Sequence, residues 1–339
     1  MIDEFKYRST FYYLKNLWNF LTVKRKYQLF LTLCLMILTS IFELFSLASL
    51  IPFISVLISP EKVLEIRIIN LIFNSFQISS RQEIIIFCTF IFISVALFSS
   101  AVRILSLWCN TRVIAFVGND LSCLAYKKTL QQKYLTHINR NSSEVVSTLV
   151  TEINDLVLAL NSVLIVLTNT FISISIVFTL FLISWKISIS SLGIFSLTYF
   201  LISRITQEKI QKRGIRISKS AKDQLKSMQE SFGGIRDLIL DNNFKIYEKK
   251  YYENDYIKRI KFAEINFLGF FPRFLMEGFS LAVFAFIGVL LLKNSNNPEQ
   301  IIPILGATAL GIQKLLPSMQ QTYSGLSAIK GYKKVMANV

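Results

Sequence analysis

Three observations predict an all-α integral membrane fold of six transmembrane helices with long cytoplasmic helical extensions. The 339 residues are 53% hydrophobic and only 17% charged, with a mean hydropathy of +0.49, a balance that soluble globular domains do not show. Apolar runs near the ~20 residues needed to cross a bilayer recur along the chain. Fifteen of the thirty-seven Lys/Arg residues fall between Arg204 and Lys261, with apolar sequence on both sides. Lys/Arg-rich connections stay cytoplasmic, so this block orients every neighbouring span in the plasma (inner) membrane and puts both termini inside.

Residues 1–26 interleave Lys/Arg with aromatics such as Tyr7, Phe11 and Trp18, the pattern of an amphipathic helix on the cytoplasmic membrane surface. The first span covers 27–59, with Glu43 as its only charge and Pro52 as a kink site. Residues 60–83 form an external polar loop in which Leu64, Ile68, Leu71, Ile72 and Phe76 keep helical spacing. The second span, 84–108, is interrupted by Arg103 and continues as helix through Leu121 towards Tyr134. In the polar segment that follows, Asn141-Ser142 with Glu144 has a capping-box-like spacing that starts a short helix.

A turn at Ser184-Trp185-Lys186 separates spans 156–183 and 187–204. The basic block then carries Ile210, Ile217, Ala221, Leu225, Met228 and Phe232 at helical spacing. From Arg204 to Lys226 such a helix projects roughly 33 Å beyond the bilayer. Gly233-Gly234 breaks it, a short apolar run from Ile235 to Leu240 follows, and Asp241-Asn242-Asn243 reverses the chain. The fifth span, 266–292, contains Arg273 and Glu277. The sixth, 301–318, follows an external loop and runs on past Lys314 and Pro317.

The net charge of +16 does not indicate nucleic acid, because the basic residues sit beside apolar spans, where orientation and anionic lipid account for them. Cys34, Cys88, Cys109 and Cys123 have no paired spacing and read as small apolar fillers. His137, the one histidine, reads as a solvated loop residue, and no catalytic triad or metal cluster is visible. Ionisable groups at bilayer depth are costly unless they face a cavity or a partner, which singles out Glu43, Arg103, Arg273 and Glu277. Two roles fit the arginines: phosphate ligands in a cavity, or structural charges, with Arg273 neutralised by Glu277 four residues on and Arg103 snorkelling to the interface. Glu43 fits best as a helix-packing partner.

Short external connections and two long helical cytoplasmic excursions resemble the transmembrane domain of type IV ABC exporters over nearly the whole chain. The stretch QESFGGIRDLILDNNF resembles a recurrent family motif, with Glu230, Gly234, Ile235 and Arg236 in register. FELFSLASLIPFI, FPRFLMEG and ALGIQKLLPSMQQ are similar to the lipid-linked oligosaccharide flippase subfamily. The resemblance implies a transmembrane domain over 27–330, the start of a linker at 331–339, and coupling helices near Asn141 and Gly234 that dock on a nucleotide-binding domain. It also implies a homodimer and a cavity in which Arg103, Arg273 and Lys314 meet a polyprenyl pyrophosphate. Lys314 stands where the subfamily leads one to expect Arg, keeping the charge without the bidentate geometry. The 339 residues contain no phosphate loop, signature LSGGQ or Walker B strand. The chain is therefore expected to be no enzyme itself and to hold no cofactor. ATP and Mg would bind an associated nucleotide-binding domain, either fused beyond Val339 or separate. An exporter of peptides, proteins or drugs, and a membrane-embedded glycan-processing enzyme or scaffold, are the alternative readings.

Overall fold

The computed structural model describes residues 17–58, 81–139, 145–146, 148–183, 185–293 and 298–332, in which every regular element is helical. The expected external helix within 60–83 and the residues Asn141, Ser142 and Glu144 lie outside this set.

The elements are α1 (Val23–Ala48), α2 (Leu50–Ile58), α3 (Arg81–Leu130), α4 (Tyr134–Asn139), a π-helical turn at Thr148–Glu152, α5 (Ile153–Ile183), α6 (Trp185–Gly233), α7 (Ile235–Asp241), α8 (Phe244–Lys293) and α9 (Pro298–Gly331). At 1.5 Å per residue, the 50 residues of α3 and of α8 each extend about 75 Å. A hydrocarbon layer of about 30 Å needs less than half of that. Four segments among the described residues are long and apolar enough to cross a membrane: Val23–Ile58, Gln82–Leu130, Thr148–Ile183 and Phe244–Phe286. The other two predicted spans fall on α6 and α9.

Local chemistry sets the breaks. The first span is divided at Ser49, three residues before Pro52, because Pro52 has no N–H to offer the Ala48 carbonyl. Ser49 closes α1 instead, its N–H donating to Phe45 O at 2.9 Å and its hydroxyl to Ser46 O at 2.9 Å. Pro272 sits inside α8 without ending it. The side-chain amide of Gln320 donates to the Gly269 carbonyl, in the turn that Pro272 loosens. At the tip of the basic block α6 ends on Gly233, and α7 ends on Asn242 with φ at +50°. Asn tolerates that left-handed geometry better than most residues.

The bundle is built around α9, which packs against α5, α8, α6 and α2. Its seam with α5 is lined by small and polar residues. Ser173 meets Ser318 at 2.5 Å, and Asn169 donates to Gln321 at 2.9 Å. A Cβ added at Gly325 would lie 2.6 Å from Val166 Cγ2 and 3.2 Å from the Ser162 carbonyl, so only glycine allows this approach. Leu47, Ile172, Ile176, Leu180, Met276, Ile312, Leu315, Leu316 and Tyr323 form the main core there.

The other strong pairings are α6 with α8 and α1 with α3. On α6 the buried stripe differs from the apolar one read in the sequence: Thr206, Ile210, Ser220, Gln224 and Ser227 are buried, whereas Met228 and Phe232 are exposed. The partner explains the shift. Gln224 donates to Asp255 at 3.1 Å and accepts from Lys258 at 3.0 Å, and Arg213 pairs with Glu264 at 2.6 Å, so α8 meets α6 through hydrogen bonds.

Candidate functional site

Arg273 and Glu277 lie one turn apart on α8, with the buried Ser280 a further turn along. Both open onto a cavity of about 410 Å³ whose far wall is α9, through Ala309, Ile312, Gln313, Leu316 and Pro317. Leu281 and Phe284 complete the α8 wall, so the chamber combines a few polar and charged groups with largely apolar walls. Both charged residues are exposed, and among the described residues no ion pair joins them. Of the two roles open to Arg273, neutralisation by Glu277 has no ion pair behind it among the described residues. A free guanidinium can donate two parallel hydrogen bonds to a phosphate, and the apolar walls suit a hydrocarbon neighbour.

Lys314, expected in the same cavity, is committed elsewhere. Its ammonium lies 2.9 Å from Glu43 Oε1 and donates to Ser46 Oγ at 3.3 Å. Ser99 of α3 donates to the other Glu43 oxygen at 3.2 Å. Successive residues of a helix point about 100° apart, so Gln313 lines the chamber while Lys314 turns to α1. The Glu43 side chain is only 5% exposed and that of Lys314 41%, which makes the carboxylate the fully desolvated partner. Arg103 is exposed on α3 and does not line this cavity.

At the tip, the Glu230 carbonyl accepts the Gly234 N–H at 3.1 Å, and its carboxylate lies 3.8 Å from Lys226. Ile235 and Arg236 open α7, with Leu238 buried beneath. Phe232, Ile235, Ile239 and Leu240 remain exposed, an apolar cap on a basic rod.

Several polar contacts escaped the sequence reading. Lys222 of α6 reaches the buried Glu152 at 3.0 Å, fixing the π-helical turn. Arg25 grips both oxygens of Asp120 at 2.7 and 3.1 Å. Just past the C-terminal end of α9, burial and the Asp155 carboxylate push the Tyr332 phenol up from its usual range. A signal did exist for these, since Asp120, Glu152 and Asp155 are carboxylates within or beside apolar runs. Among the described residues no group of His, Cys, Asp and Glu could hold a metal ion, and the four cysteines are free thiols.

The sequence model of the family described as the ABC transporter transmembrane region matches residues 29–313. This chain belongs to that family. As an ABC transporter transmembrane region it is a multi-pass membrane component of an exporter, and such regions work with a nucleotide-binding domain. The match takes in Glu43, Arg103, Arg273, Glu277 and the α6–α7 tip, and it ends at Gln313 beside Lys314.

Proposed function

We propose that this transmembrane region is half of a homodimeric, ATP-driven flippase or exporter for an amphipathic, phosphate-bearing lipid such as a polyprenyl-pyrophosphate-linked oligosaccharide. The observation that carries this reading is the Arg273 guanidinium, open to a chamber with apolar walls and without a carboxylate partner among the described residues. In this reading Arg273 binds phosphate, Gln313 offers a further hydrogen bond, and Leu281, Phe284 and Leu316 cover the first prenyl units. Arg103 would join from α3 where two copies enclose a larger cavity. Lys314 holds the wall through Glu43 and is not a ligand.

Six spans with both termini cytoplasmic would place α7 and the segment around Asn141, Ser142 and Glu144 on the cytoplasmic side as coupling helices. The exposed Phe232, Ile235, Ile239 and Leu240 fit a groove on a nucleotide-binding domain. ATP and Mg bound there supply the driving energy, and the long rods of α3, α6 and α8 carry the motion to the chamber.

The Glu277 carboxylate in the same chamber favours a second reading, export of a cationic peptide or drug. The two separate in proteoliposomes that hold the dimer with its nucleotide-binding partner and a fluorescent polyprenyl-pyrophosphate glycan. Arg273→Glu should lower flipping at least about tenfold, the scale of one lost charge-assisted contact. No flipping of the glycan by the wild type, with export of a fluorescent cationic peptide that Glu277→Gln abolishes, would favour the cationic substrate.

A further inference from the structure

A second cavity, of about 490 Å³, opens between α1 and α3 and is lined by Tyr27, Gln28, Leu31, Thr32, Trp108, Cys109, Arg112, Val113 and Phe116. We infer that it seats an anionic phospholipid of the cytoplasmic leaflet, with Arg112 on the headgroup phosphate and the acyl chain along Leu31 and Cys109. This rests on the reading that α1 and α3 cross the bilayer with their basic ends inside.

The charges favour an anion. Arg112 is exposed, stacks over the Trp108 ring at 5.5 Å, and has no carboxylate partner among the described residues. Three carboxylates lie on α1 and α3: Glu43 is held by Lys314, Glu83 is at the far end of α3, and Asp120 is gripped by Arg25. Lys24 stands within electrostatic reach of Asp120, and Lys26 lies 5.8 Å from the Trp18 ring, so the rim is net positive.

The wall is also prebuilt. Arg25 donates to Gln28 Oε1 at 2.9 Å and lies over the Phe116 ring at 4.8 Å, which fixes two lining residues. Thr32 is buried with its hydroxyl donating to the Leu29 carbonyl at 2.8 Å, which fixes that part of the lining as well. Tyr27 and Trp108, both exposed, are amphipathic rings of the kind that settle at headgroup depth. The first apolar residues of each span lie beyond them.

The test uses Trp108 itself. In the 339-residue chain with Trp18→Phe and Trp185→Phe, Trp108 is the remaining tryptophan. Its fluorescence is measured in phosphatidylcholine vesicles containing either dibrominated phosphatidylglycerol or dibrominated phosphatidylcholine as quencher. One guanidinium at an anionic surface should give about fivefold apparent preference for the brominated glycerol lipid. Arg112→Ala should bring that preference to about one, while Arg112→Lys retains part of it because the charge stays. Equal quenching by both lipids overturns the proposal, as does a preference that survives Arg112→Ala. Quenching by neither overturns it too, and shows the cavity covered by another part of the chain or a second copy. None of these outcomes depends on what the chamber beside Arg273 transports.

Discussion

Two oppositely charged pairs lie within the apolar segments of this ABC transporter transmembrane region, and one is closed while the other is open. Glu43 and Lys314 come from α1 and α9, which the core holds together, and their heads meet at 2.9 Å with serine hydroxyls from α1 and α3 around them. Arg273 and Glu277 share one helix, so only their own rotamers bring them together, and both instead face a chamber. Packing of two helices enforces a pair, whereas a four-residue spacing merely permits one. Charges that look neutralised in sequence are therefore the ones left available to a ligand.

The comparison breaks most sharply at Lys314. Lys314→Met would leave Glu43 buried without its counter-charge, which costs roughly 2–3 kcal/mol after discounting the range for buried pairs for the exposure of Lys314. Thermal unfolding in detergent should fall accordingly, and adding Glu43→Gln should recover more than half of the loss. An unchanged melting temperature would mean the pair is not closed in solution. Next comes the α5–α9 seam that carries one member of the closed pair and one wall of the chamber. Gly325→Leu drives a side chain into Val166 and should cost roughly 1–3 kcal/mol by overpacking. A smaller effect, about 1 kcal/mol, is expected for Lys222→Ala, because Lys222 keeps 47% of its side-chain exposure while Glu152 is buried. Arg259→Ala, on the exposed Asp255 pair, should not move the transition measurably.

The elements were legible in the sequence wherever local chemistry sets them. Gly233 and Asn242 punctuate the tip, and Pro52 marks the break at Ser49, because poor helix-forming chemistry is a property of each residue itself. The face of α6 was not legible. Periodicity picked Met228 and Phe232, but the chain buries Ser220, Gln224 and Ser227, since Asp255 and Lys258 on α8 reward polar partners that no single-helix pattern displays. The same holds at the site. Arg273 and Glu277 stood out as charges in an apolar run, yet a four-residue spacing permits a bond without requiring one, and the chamber against α9 that both face is not visible in the α8 sequence. That Lys314 would turn to Glu43 required the placement of α1 against α9, which Lys314 and its sequence neighbours do not encode.

The proposed function requires that the open pair, and not the closed one, recognise the substrate. The direct measurement is the dissociation constant of a polyprenyl-pyrophosphate glycan for the assembled transporter, in wild type, Arg273→Gln and Lys314→Gln, with the uncharged polyprenol as reference. Arg273→Gln should weaken pyrophosphate binding about tenfold or more and leave the polyprenol unaffected, with melting unchanged within about 0.5 kcal/mol. Lys314→Gln should lower stability and leave affinity within about twofold. Equal affinity losses in the two variants, or a loss in Lys314→Gln alone, would contradict the account.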